Sequence, residues 1–226
     1  MVSGKFKGIV FDLDGTLIHS TIDFRKMKGN MIKVLEENDA PVGTLNTNMI
    51  TVDILERAEH YWEEAGRAEK SRAELRATME KLMNQGELEA IPLVEEIKGA
   101  SQALHELRDQ GYALAILTRS HYEYAVEALK KIGAYDCFEL ILGRGQTPRP
   151  KPYPEALNHT AELMGLDLSE IIFVGDMYLD FESAINSGCA FIGVNTSGRG
   201  RMSWKEEPPE VLLESVADLP EYMSKL

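Results

Sequence analysis

Short apolar runs alternate with longer amphipathic ones along this chain, and that alternation predicts the fold. Residues 9–11, Ile-Val-Phe, form a run that stops abruptly at Asp12, Leu13, Asp14, Gly15 and Thr16. An apolar run of this length, closed by turn residues, reads as a buried strand. Comparable runs lie at 113–117, 138–142, 171–174 and 190–194. Between them the period lengthens to that of a helix. One helix is expected over 95–109, ending at Gly111, and another up to residue 131, with Ser120 and Glu123 as its capping pair. Two more are expected over 154–164, closed by Gly165, and over 179–187, stopped by Gly188. Strands alternating with helices imply right-handed crossovers and a parallel sheet covered on both faces. The tail beyond Asn195 is less regular, with a short strand at 211–213 and a closing helix at 217–226.

The block 20–91 carries no strand signal. Asp23 caps an expected helix over 24–37, and 38–46, with Pro41 and Gly43, reads as a loop. Further helices are expected over 48–65 and 68–84, the latter with Ser71 and Glu74 as a capping pair and Gly86 as its stop. An all-helical insertion of about 70 residues has the size of a small domain. The expected organisation is therefore α/β: a three-layer, Rossmann-like core from 1–19 and 92–226, interrupted by a helical domain over 20–91.

Composition narrows the function. The net charge of −13 argues against nucleic-acid binding by bulk electrostatics. It also means that a bound anion needs a local positive site, such as a metal. No run approaches the ~18 apolar residues of a membrane span, and the first residues lack the apolar core of a signal peptide. A cytoplasmic protein without membrane partners is expected. Cys137 and Cys189 make no Cys-x-x-Cys pair and read as buried thiols. The five histidines are scattered, which disfavours zinc.

The chemistry concentrates at strand ends. Asp12 and Asp14 close the first strand, Thr118 the second and Asp176 the fourth, while the third leads into a loop carrying Lys151. The carboxyl ends of parallel strands lie along one edge, so residues far apart in sequence can converge there. Each residue also has a structural reading. Asp-Gly pairs make turns, Thr118 could cap a helix, Lys151 could be a solvated loop lysine, and Asp176 and Asp180 could favour a helix dipole.

The order of these residues resembles the haloacid dehalogenase-like superfamily, in its phosphatase branch with a helical cap, similar to phosphoglycolate phosphatases. Asp12-Leu-Asp-Gly-Thr-Leu matches the first motif, Thr118 in A-I-L-T the second and Lys151 in K-P-Y-P the third. Gly175-Asp176 with Asp180 matches the fourth. The resemblance implies that Asp12 is a nucleophile forming an aspartyl-phosphate and Asp14 the general acid/base. It implies Mg²⁺ held by Asp12, the backbone carbonyl of Asp14, and Asp176, with Asp180 behind them orienting waters or Lys151. Thr118, Lys151 and the backbone N–H of Arg119 would hold phosphoryl oxygens. The insertion would be the cap that closes over the cleft and selects the substrate, a small phosphorylated metabolite.

This chain departs from the motifs at three positions. Met177 replaces the usual small hydroxyl residue after Asp176. Arg119 stands where Asn or Gly is common, and its side chain either adds positive charge near the phosphate or points outward. His19 stands where many relatives carry Asp and reads as a surface residue, with a cleft-facing position as the alternative. The cap residues Arg25, Lys26, Lys28 and Lys33 read as a solvated face, and Met27, Met31, Met49, Met79 and Met83 as cap core. The expected activity is a Mg²⁺-dependent phosphatase. A sugar phosphomutase on the same site is the alternative, and a non-catalytic phospho-aspartyl switch a more distant one. Nothing in the sequence names the substrate or the oligomeric state.

Overall fold

The computed structural model describes residues 5–196, 204 and 208–226. Strand β1 (Gly8–Phe11) is buried along its whole length. The chain then turns through the Asp12–Thr16 segment into β2 (Ile18–His19), which pairs antiparallel with β3 (Glu95–Glu96). The stretch between these two strands supplies a separate unit. By contact the chain divides into Met1–Ser20 with Leu93–Leu226, and Thr21–Pro92.

The inserted unit is all helical: α1 (Phe24–Glu36), α2 (Thr51–Glu64) and α3 (Glu69–Leu88). Asp23 caps α1 by accepting from the Lys26 backbone N–H at 2.9 Å. The core of this unit is Met27, Met31, Leu35, Ile54, Ala58, Trp62, Leu75, Met79 and Met83, all buried. Helix α3 starts where expected, after Ala68, but without the Ser71 pair as its cap, and it departs from expectation at its far end, where Gly86 lies inside the helix instead of ending it. A Cβ on Gly86 would lie 3.1 Å from Met27 Cγ. The glycine serves close packing of α3 on α1, and tertiary contact outweighs its low helix propensity.

The other unit resumes with α4 (Ala100–Asp109), β4 (Ala113–Leu117), α5 (Tyr122–Lys131) and β5 (Leu140–Leu142). It continues through α6 (Pro154–Met164), β6 (Ile171–Gly175), α7 (Tyr178–Ser187), β7 (Ala190–Val194), β8 (Leu212–Leu213) and α8 (Leu219–Met223). The helix expected from Glu95 begins only at Ala100. Gly99 is left-handed, at φ +82°, and separates β3 from α4. Glu96 looks forward instead, accepting from the Ser101 backbone N–H at 3.0 Å and its hydroxyl at 2.7 Å. The closing helix is shorter than the expected span, α8 following a 3₁₀ turn at Val216–Asp218.

Six strands form one sheet in the order β5-β4-β1-β6-β7-β8, every neighbouring pair parallel. Val10, Ala115, Leu117, Ile171 and Phe173 pack in one cluster with Ala156, Leu157 and Ala161 of α6 and Ala184 of α7. By the pleat, Ile9 and Phe11 face the opposite side and are equally buried. The sheet is thus covered on both faces, which is why its strands are continuously apolar rather than alternating. Among the described residues no helix is long and apolar enough to cross a membrane.

Candidate active site

Strand β1 lies between β4 and β6, with Phe11 opposite Ile116 on one side and Val174 on the other. The three strands therefore end side by side. From β1 the sheet grows outward to β4 and β5 on one side, then back to β6, β7 and β8 on the other. Such reversals open a crevice beyond the carboxyl ends of the strands, where α/β proteins bind ligands. Asp12 leaves β1 still paired, its N–H donating to Val174 O at 2.9 Å. Thr118 leaves β4 in the same way, donating to Leu142 O at 2.9 Å.

Lys151 reaches into this crevice from the loop after β5. Its Nζ donates to Asp12 Oδ1 and to Asp180 Oδ1, each at 2.6 Å. The ammonium is buried and lies 5.3 Å from the centroid of the Phe173 ring. Burial works against its charge, but Asp12 and Asp180 outweigh that cost and hold its pKa above the ordinary lysine value.

Asp14 has a different environment. Ser120 Oγ donates to its Oδ2 at 2.7 Å and the Tyr124 hydroxyl to its Oδ1 at 2.9 Å. Burial raises its carboxyl to about 6, the charge of Asp12 adding to the rise while Ser120 and Tyr124 oppose it. Two carboxylates one residue apart thus face opposite partners, an ammonium and a pair of hydroxyls.

Asp12, Asp176 and Asp180 each place a carboxylate oxygen within 4.8 Å of the others, and all three are buried. Burial, then repulsion from Asp12 and Asp180, pushes Asp176 up to about 8. Burial likewise raises Asp180, against the pull of Lys151. The cluster carries more negative charge than Lys151 balances, and its donors are hard oxygens without His or Cys. That donor set fits a divalent ion such as Mg²⁺ rather than zinc. Two glycines make the crowding possible. Gly15 has φ +89°, and a Cβ there would lie 2.4 Å from Asp176 Oδ2; one on Gly175 would lie 2.5 Å from Asp180 Cβ. The Thr196 hydroxyl holds the Gly15 carbonyl, and Thr16 Oγ1 is 3.4 Å from Asp176 Oδ1.

The remaining sequence candidates are placed as follows. Thr118 is buried at the end of β4, its Oγ1 accepting from the Ser120 N–H at 3.1 Å. Arg119 is half-buried next to it. Met177 is exposed, but its backbone N–H donates to Asp180 Oδ2 at 3.3 Å. His19 is exposed on β2. The sequence does not mark the hydroxyls around Asp14 as site residues. Ser120 carries the signal of a helix cap, yet α5 starts at Tyr122 with His121 at its cap position, and the Ser120 hydroxyl is engaged by Asp14. Tyr124 looks like any apolar-face helix residue, and no local pattern separates it from core.

Comparison with known proteins agrees with this geometry. The family model described as haloacid dehalogenase-like hydrolase matches residues 9–194. A phosphoglycolate phosphatase of Neisseria meningitidis is 30% identical over 209 residues, covering 87% of this chain and 83% of that protein. A pyrophosphatase of Listeria welshimeri is 28% identical over 127 residues, covering 56% of this chain and 58% of its own. In fold the chain resembles the crystal structure of a protein described as a predicted phosphoglycolate phosphatase, from Haemophilus somnus 129pt. The TM-score is 0.68 at 22% identity, covering 97% of this chain and 99% of that one. With the family model spanning the sheet and every strand end that carries an acid, the chain belongs to the haloacid dehalogenase-like hydrolases, on their phosphatase branch.

Proposed function

We propose that this protein is a Mg²⁺-dependent hydrolase of a small phosphomonoester, working through an aspartyl-phosphate on Asp12. The observation that carries this reading is the opposed partnering of Asp12 and Asp14. Lys151 donates to Asp12, and the hydroxyls of Ser120 and Tyr124 hold Asp14 where burial favours its protonated form. The names of the relatives support a small phosphorylated substrate.

In the first step an Asp12 carboxylate oxygen attacks phosphorus and the ester P–O bond breaks. Asp14 gives its proton to the leaving oxygen. In the second step Asp14, now a carboxylate, takes a proton from water as that water attacks the phosphorus. The bond from phosphorus to Asp12 breaks, phosphate leaves and both acids return to their starting states. Proton transfer of this kind contributes a factor of about 10² to 10⁴. Lys151, the Thr118 hydroxyl and the Arg119 N–H hold the phosphoryl oxygens, where fixed donors stabilise developing charge. Asp12, Asp176 and the backbone carbonyl of Asp14 would hold Mg²⁺, with Asp180 behind them positioning Lys151. When bound, the ion neutralises the carboxylates and the phosphoryl group.

The test is release of inorganic phosphate from p-nitrophenyl phosphate and from a panel of phosphorylated metabolites with Mg²⁺. Turnover is expected, with loss of at least about 10³-fold in Asp12→Asn. Absence of turnover across the panel, or full activity in Asp12→Asn, would overturn the reading.

A further inference from the structure

Gly15 sits at φ +89°, and a Cβ there would lie 2.4 Å from Asp176 Oδ2, so its backbone lies directly against a carboxylate of the cluster. Glycine reaches this conformation without strain, but the same freedom opens many others to a chain that nothing holds. The turn that carries Asp14 therefore needs restraint at this residue.

Both peptide groups flanking Gly15 are held by hydrogen bonds. On one side the Gly15 N–H donates to the Ile18 carbonyl at 2.8 Å. The Asp14–Gly15 peptide is trans, so its planarity turns the Asp14 carbonyl to the opposite side, away from Ile18. On the other side the Gly15 carbonyl accepts from the Thr196 hydroxyl. The first bond is local to the turn, and the second comes from elsewhere in the sheet. Thr196 lies two residues beyond β7, and β6 separates β7 from β1. The hydroxyl thus reaches across the end of β6, where Asp176 follows, to the turn after β1. The stretch that presents it is anchored in turn. Gly193 N–H donates to Val211 O and Asn195 N–H to Leu213 O, each at 2.9 Å, in the ladder to β8.

We infer that Thr196 is a positioning residue for the metal ligands: its hydroxyl removes the freedom of Gly15 and so fixes the Asp14 carbonyl relative to Asp176. Groups behind the ligands that set their direction contribute strongly to metal affinity. The inference rests on the metal ligands of the phosphatase reading and extends the machinery to the end of β7, a strand that carries no acid.

The experiment measures Mg²⁺ affinity by titration calorimetry on the substrate-free protein, in the wild type, Thr196→Val and Thr196→Ser. Valine keeps the shape of threonine and loses the hydroxyl; serine keeps the hydroxyl and loses the methyl. Thr196→Val is expected to weaken Mg²⁺ binding about tenfold, and Thr196→Ser to bind as the wild type does. A residue that only packed would give the reverse order. Should Thr196→Val not fold, Thr196→Ala against Thr196→Ser gives the same contrast, since these two differ only in the hydroxyl. Wild-type affinity in the variant lacking the hydroxyl, or an equal loss in Thr196→Ser, would overturn the inference. The readout needs no turnover, so a wild type that binds Mg²⁺ but hydrolyses no phosphomonoester would sink the phosphatase reading while the affinities still decide Thr196. A wild type that binds no Mg²⁺ would sink both.

Discussion

Ser120 Oγ donates to Asp14 Oδ2 at 2.7 Å, across 106 positions of sequence. This contact joins the end of β4 to the turn after β1 and fixes the direction of the Asp14 carboxyl. The Tyr124 hydroxyl, one helical turn further on, holds the other oxygen. Both residues are positioning residues for the proposed acid/base. Ser120→Ala and Tyr124→Phe are each expected to lower kcat by about tenfold with little change in KM, since what is lost is alignment rather than binding. Steady-state kinetics on both variants checks this; an unchanged kcat in both would remove the assignment.

Gly15 connects the two halves of the carboxylate cluster. At φ +89° an alanine is strained, and its Cβ would meet Asp176 Oδ2. Gly15→Ala is expected to cost about 1–3 kcal/mol in folding stability and to displace Asp176. Mg²⁺ affinity, measured by titration calorimetry, should fall by at least about tenfold. Wild-type metal affinity in the variant would show that Asp176 is not a ligand.

Removing divalent ions tests the cluster directly. Dialysis against a chelator is expected to abolish turnover, and Mg²⁺ is expected to restore it. Zn²⁺ should restore it poorly, because the donors are carboxylates without His or Cys. Full activity after chelation would overturn the metal assignment.

Gly86 gives a test of the inserted unit alone. Alanine gains roughly 0.5–1 kcal/mol in helix propensity but presses on the flexible Met27 side chain. The two effects nearly cancel, so Gly86→Ala should change stability little. Gly86→Leu should lose about 1–3 kcal/mol by overpacking. Urea denaturation of both variants measures the difference, and a stabilised leucine variant would refute the packing role.

Cys189 gives the pH-dependent case. Burial pushes its thiol from 9.0 up to about 12, so the folded chain keeps this proton where the unfolded chain has lost it. Unfolding therefore becomes easier as pH rises from about 9 toward 12, and the thiol has no destabilising effect below that window. In the native state at pH 8, iodoacetamide should leave Cys189 unmodified while labelling it in urea. Urea midpoints between pH 8 and 11 should fall less in Cys189→Ala than in the wild type. Rapid native labelling at pH 8 would contradict the burial argument.

The sequence by itself determined the sheet, the alternation of its helices and the candidate acids, because these depend on local periodicity and on motifs only a few residues long. Helix α6 and strands β4 and β7 match their expected spans, since their stop signals are strong and local. Only tertiary structure decided the places where a residue's partner lies far along the chain. Gly86 looks like a helix stop until Met27 is seen against it. Ser120 looks like a cap until Asp14 is seen to take its hydroxyl, and Tyr124 has no sequence signal at all. Local patterns report the energy of neighbours in sequence; burial and long-range charge belong to neighbours in space, and at this site those override the local signal.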